Sequence, residues 1–141
     1  MKTKIKYKML LLLACICLAS CKINQTRNGL EEGKWIKNKS YHTTVFTETG
    51  KYKKGIKRGS WKNHMNNKLL SKIKYKKNTC YVIEYHNTGK IRARGFSNKE
   101  IVGSKTEWLP TGKWEFYDSE GLLLGTKIYK KGIPIEEIYT Q

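Results

Sequence analysis

The chain has 141 residues, 29 of them Lys or Arg and 11 Asp or Glu, for a formal net charge of +18. That length holds one domain with a modest core and leaves little room for a second. The basic excess draws phosphates, acidic glycans, nucleic acid or acidic proteins, although richness in Lys, Asn and Ile also accounts for much of it as an ordinary solvated surface.

Residues 1–20 read as an export signal. Lys2, Lys4, Lys6 and Lys8 form a basic head, and Met9 to Leu18 is an almost unbroken apolar run. Leu18-Ala19-Ser20-Cys21 closes it with small residues before a cysteine. The apolar run is too short to span a bilayer, and its flanks suit cleavage. Leu-Ala-Ser-Cys resembles the lipobox of bacterial lipoproteins. That resemblance implies a diacylglycerol on the Cys21 thiol, a mature N-terminus there, and attachment to a membrane of the bacterial cell envelope, the outer membrane in a Gram-negative cell. Two or three acyl chains hold firmly, at about 0.8 kcal/mol per buried methylene. No later segment approaches the roughly twenty apolar residues of a transmembrane helix. Because the four head lysines leave with the signal, the remainder keeps a positive excess of 14.

A polar tether is expected over residues 21–32, followed by a folded domain over 33–141. There the sequence repeats itself. Gly29-Leu30-Glu31-Glu32-Gly33-Lys34-Trp35 and Gly55-Ile56-Lys57-Arg58-Gly59-Ser60-Trp61 share G-x-x-x-G-x-W, and Gly112-Lys113-Trp114 repeats the second half. Tyr52-Lys53-Lys54-Gly55, Tyr75-Lys76-Lys77-Asn78 and Tyr129-Lys130-Lys131-Gly132 each follow a tryptophan by 14 to 17 residues. Turn signals at Asn66-Asn67, Asn87-Thr88-Gly89 and Asp118-Ser119-Glu120-Gly121 separate them. An aromatic strand, a turn, a basic or β-branched strand and a second turn make a β-hairpin, and successive hairpins predict one antiparallel meander stabilised by stacking. Cys80, the cysteine left without an intramolecular partner once Cys15, Cys17 and Cys21 are set aside, is expected on a strand facing the core.

These units resemble the MORN repeat in its shorter bacterial variant, whose core reads roughly Y-x-x-G-x-x-x-G-x-W-x-x-Y. Tyr52 to Trp61 matches closely, with His64 at the last position, and Trp114 to Tyr117 matches the second half. In the third unit Val82 or Tyr81 takes the tryptophan's place, and Trp108 stands where the fourth would have its leading glycine. The resemblance implies an all-β sheet of about four hairpins, with Gly33, Trp35, Gly55, Gly59, Trp61, Gly112 and Trp114 as its structural positions. It also implies a role in binding or scaffolding, as in some immunity and antitoxin proteins of the class.

Catalytic signals are weak. Thr49-Gly50-Lys51, Thr88-Gly89-Lys90 and Thr111-Gly112-Lys113 lack the rest of a phosphate loop and read as turns. His42, His64 and His86 recur every 22 residues without the convergence that metal ligation needs. Glu84, Glu107 and Glu115 are the only acids expected within strand-like segments, and they read as partners for lysine although a glycosidase pair could be drawn from them. The expectation is of no enzyme, no metal and no cofactor, although a cleft lined by Glu84, Glu107 or histidines would favour an enzyme. In Lys72-Ile73-Lys74-Tyr75-Lys76 and Ile91-Arg92-Ala93-Arg94 the charges alternate with apolar residues, which sends them to one sheet face. Lys72, Lys74, Lys76, Arg92 and Arg94 are thus the candidate contacts to an anionic envelope lipid, an acidic glycan or an acidic protein, with no nucleic acid expected. The sequence reading is of a lipid-anchored binding or scaffold module, the alternative being an immunity-type protein that neutralises a toxin.

Overall fold

The computed structural model describes residues 22–140; the export signal and Cys21 lie outside them. Ten strands follow one another: β1 (Gln25–Arg27), β2 (Leu30–Tyr41), β3 (Thr44–Lys53), β4 (Ile56–Met65), β5 (Lys68–Tyr75), β6 (Thr79–Tyr85), β7 (Ile91–Val102), β8 (Lys105–Tyr117), β9 (Leu123–Lys130) and β10 (Ile133–Tyr139). They form a single sheet in sequence order with every neighbouring pair antiparallel, the meander that the repeats predict. The tether expectation is corrected. Gln25–Arg27 pairs with Leu30–Glu32 through a turn at Asn28-Gly29, because both turn residues take the positive φ of a tight hairpin. Among the described residues no helix is long and apolar enough to cross a membrane.

The two repeated motifs are register partners. Gly33 stands opposite Tyr52, Gly59 opposite Tyr75 and Gly112 opposite Tyr129, so each G-x-W glycine meets the tyrosine that opens the following Y-K-K turn. All three glycines have left-handed backbone, φ +74°, +62° and +64°, inside a strand. This marks a bulge. Gly50 alone of β3 faces Gly59, Ser60 and Trp61 of β4, and Gly112 and Lys113 of β8 are likewise extra between the pairs that β8 makes with Gly95 and Phe96 of β7. Extra residues bend a strand and increase its twist.

The bend turns each tryptophan onto the strand before it. Trp61 lies over Gly50 and donates its indole N–H to the Lys51 carbonyl; Trp114 lies over Gly95 and donates to the Phe96 carbonyl at 2.8 Å. Trp35 repeats the gesture onto the Gln25 carbonyl at 3.0 Å. Thr49-Gly50-Lys51 and Thr111-Gly112-Lys113 are therefore strand and bulge segments, and only Thr88-Gly89-Lys90 is a turn.

A single sheet buries little unless it curls. Strands β5 and β8 are three steps apart, about 14 Å in a flat sheet, yet the Tyr75 and Trp108 rings meet at 5.1 Å. Edge-on contacts run from Trp35 through Tyr52 and Trp61 to Tyr75 and Trp108 along the concave face. Trp61 has no exposed surface, and Cys80, Val82 and Ala93 pack into the same cluster. Val82, opposite Gly95 as Trp35 is opposite Gly50, holds the tryptophan's place in the third unit; Tyr81 faces the other way and packs on Phe96.

Candidate anion-binding face

On the convex face the register gathers cations that lie far apart in the chain. Lys34 of β2 stands opposite Lys51 of β3, and Lys51 in turn opposite Arg58 of β4. One row further, Lys62 of β4 stands opposite Lys72 of β5, and Lys74 follows on the same face, between Ser60 and Tyr81. Among the described residues the seven ion pairs engage Lys37, Lys57, Lys90, Arg92, Arg94, Lys113 and Lys127, so none neutralises these two rows. Like charges directly opposite each other on a sheet repel and lower stability.

Two shallow hollows lie between the side chains. One of about 320 Å³ is lined by Lys34, Thr49, Lys51, Ser60 and Lys62. The other, about 360 Å³, is lined by Ser60, Lys62, Lys72, Lys74, Tyr81 and Ile83. Lysine ammonium groups and hydroxyl donors around one depression suit an anionic group that accepts several hydrogen bonds.

The structure sorts the sequence candidates. Lys72 and Lys74 project from this face. Arg94 shares it but is held by Glu115 at 2.6 Å, and so adds no free charge. The Arg94 guanidinium, with the Tyr117 hydroxyl and Lys113, holds the Glu115 carboxyl down at about 2. Lys76 comes after the end of β5, in the turn where its N–H bonds the Thr79 carbonyl. Arg92 occupies the register shift between β6 and β7 and pairs with Glu84 at 2.6 Å. Lys34, Lys51, Arg58 and Lys62 are missed by single-strand alternation, because their proximity exists only across the ladder. Their one local signal is position, between glycine and tryptophan or next to them.

Acids are more widely used in strands than the sequence suggests: Glu31, Glu48 and Glu137 also pair with lysines. Of the histidines, His64 and His86 line a cleft with Glu48 and Glu84, whereas His42 sits in the β2–β3 turn with positive φ. The cleft's two carboxylates are already engaged, Glu84 with Arg92 and Glu48 with Lys57 at 2.9 Å. Among the described residues no three His, Cys, Asp or Glu side chains are grouped as metal ligands would be.

No family model, curated protein or solved structure matches the chain.

Proposed function

We propose that this chain is a lipid-anchored, non-catalytic binding module of MORN-like hairpins whose convex face engages an anionic surface of the cell envelope. The observation that carries the reading is the pair of unneutralised rows, Lys34–Lys51–Arg58 and Lys62–Lys72, where seven other cations among the described residues are paired with acids. Repulsion within the rows is relieved when phosphate or carboxylate groups enter the hollows between them. A lipid on Cys21 would hold the domain at a membrane, and a basic patch beside an acyl anchor is the second signal that firm attachment requires.

The test uses a lipid-free chain starting at Lys22, because all ten strands and the core lie within residues 22–140. It should sediment with vesicles rich in anionic phospholipid and not with neutral vesicles, and the binding should fall as salt shortens the Debye length to about 8 Å and below. Replacing Lys62, Lys72 and Lys74 with Gln should weaken binding by about 1 kcal/mol per charge. Equal binding to neutral vesicles would defeat the proposal.

A further inference from the structure

On the concave face the aromatic cluster gives way, one row along, to polar side chains. Glu48, Asn63, Ser71 and Glu84 are consecutive register partners across β3, β4, β5 and β6, a ladder continuing the face that carries Tyr52, Trp61 and Val82. It floors a cavity of about 570 Å³ whose walls include Phe46, His64, Leu70, Tyr85 and His86. Cavities of about 300 to 1,000 Å³ are the usual size for small-molecule sites. Core packing gives no reason for this row: an apolar residue at Asn63 or Ser71 would extend the cluster, whereas the Asn63 amide donates to the Ser71 hydroxyl at 2.9 Å and its Oδ1 is left with no donor. A buried acceptor left so is destabilising.

We infer that this cleft is a binding site for a neutral, hydroxyl-rich ligand, one or two sugar rings in size. The choice follows from what the cleft would do to each class of guest. Its charges cancel internally, Glu84 against Arg92 and Glu48 against Lys57, so an anion would meet two carboxylates and a cation an arginine. A wholly apolar guest would strip water from the polar row and leave its groups unpaired. A sugar presents hydroxyls that both donate and accept, matching the carboxylate oxygens, the Ser71 hydroxyl and His64, and it presents C–H faces that cover Phe46, Leu70 and Tyr85. The His86 Nε2 donates to the Tyr117 carbonyl at 2.9 Å, which holds the ring in the cleft wall. This site is separate from the lysine rows and stands whether or not they bind a membrane.

The experiment is calorimetric and NMR titration of the full chain, solubilised in a detergent without a sugar headgroup, with cellobiose and di-N-acetylchitobiose, and with glucuronate and glucosamine as charged comparisons. A neutral disaccharide should bind and shift the Asn63 side-chain amide and the His64 ring signals. Asn63→Ala should weaken that binding about tenfold, because it removes the amide that holds the Ser71 hydroxyl in place. Since Asn63 is part of the floor, Phe46→Leu serves as the second variant; it keeps an apolar wall, should keep the fold, and should weaken binding severalfold by removing the ring face. The inference is overturned if neither neutral sugar moves the cleft signals at tens of millimolar, if a charged sugar binds more tightly, or if Phe46→Leu folds and binds like the parent.

Discussion

The indole of Trp61 fills the space that a side chain on Gly50 would need: a Cβ there would overlap the ring. Gly95 and Trp114 repeat the relationship four strands later in the same sheet, again where one strand bulges against the other. Gly50 is not in left-handed backbone, so its constraint is packing alone; Gly59 has open space where a Cβ would go, and its constraint is its φ of +62°.

Glycine substitutions should therefore separate two mechanisms. Gly50→Ala should destabilise the domain by about 3 kcal/mol, at the upper end of overpacking effects, because the ring it meets is wholly buried. Gly59→Val should cost about 1 to 3 kcal/mol through backbone strain, and Lys53→Ala at an exposed site should stay within about 0.5. Urea unfolding followed by tryptophan fluorescence measures all three. If Gly50→Ala behaves like Lys53→Ala, the ring is not seated on the glycine.

Cys80 should be inert to alkylation in the folded chain and reactive once unfolded. It is 2% exposed, and burial pushes its thiol up to about 11, so little thiolate exists at neutral pH. Mass spectrometry after iodoacetamide at pH 8, with and without urea, reads the difference. Rapid labelling of the native protein would place the thiol outside the core.

Acid should weaken the β7–β8 pair as pH falls below the ordinary carboxylate range, because the folded chain keeps Glu115 ionised after exposed carboxylates have taken up protons. Glu115 has a lowered pKa in the fold, from 4.5 to about 2, chiefly through Arg94. Its contribution is fully present above about 4.5 and is lost as pH falls from there toward 2. Glu115→Gln should lower Tm at pH 7, and the gap from the parent should close as pH approaches 2. A gap that is constant with pH would show that the ion pair contributes nothing specific to its charge.

Much of the meander was legible because its two motifs, G-x-W and Y-K-K, prove to be partners in one register, Gly33 with Tyr52 and Gly59 with Tyr75. Spacing along the chain thus encodes pairing across it. Curvature was not legible, since Gly50 and Gly95 look like any strand or turn glycine until the ring above them is placed. Nor was the contact between Tyr75 and Trp108, which depends on bends accumulated over three strands. Lys57 reads as one more surface lysine, yet its ammonium lies 4.3 Å from the Trp61 ring centre and pairs with Glu48. For the candidate face, alternation found Lys72 and Lys74 but could not see that Arg92 and Arg94 have acids as neighbours, because Glu84 and Glu115 arrive from other strands.

The lipid anchor proposed from Leu18-Ala19-Ser20-Cys21 makes its own prediction. In a bacterial host, Cys21→Ala should abolish acylation and leave the precursor unprocessed, since cleavage of this signal class follows lipid transfer. Metabolic labelling with a fatty acid, with the mass of the product as a second readout, checks both. A cleaved, water-soluble parent protein would end the assignment.

The lysine rows predict that stability and binding move in opposite directions. Lys62 faces Lys72 with no acid between them, so Lys62→Glu turns a repulsive cross-strand pair into an attractive one and should stabilise the domain by about 0.5 kcal/mol. The same change removes one positive charge from the face and adds a negative one, which should weaken binding to anionic vesicles by about 2 kcal/mol, or roughly thirtyfold. Lys62→Gln should fall between the two on both measures. A rise in Tm together with a loss of vesicle binding would mean that the lysine is kept for an external anion at the expense of the fold. If Lys62→Glu binds like the parent, or if the parent's binding does not differ between low and high salt, the rows are a solvated surface and the concave cleft is where this protein's recognition resides.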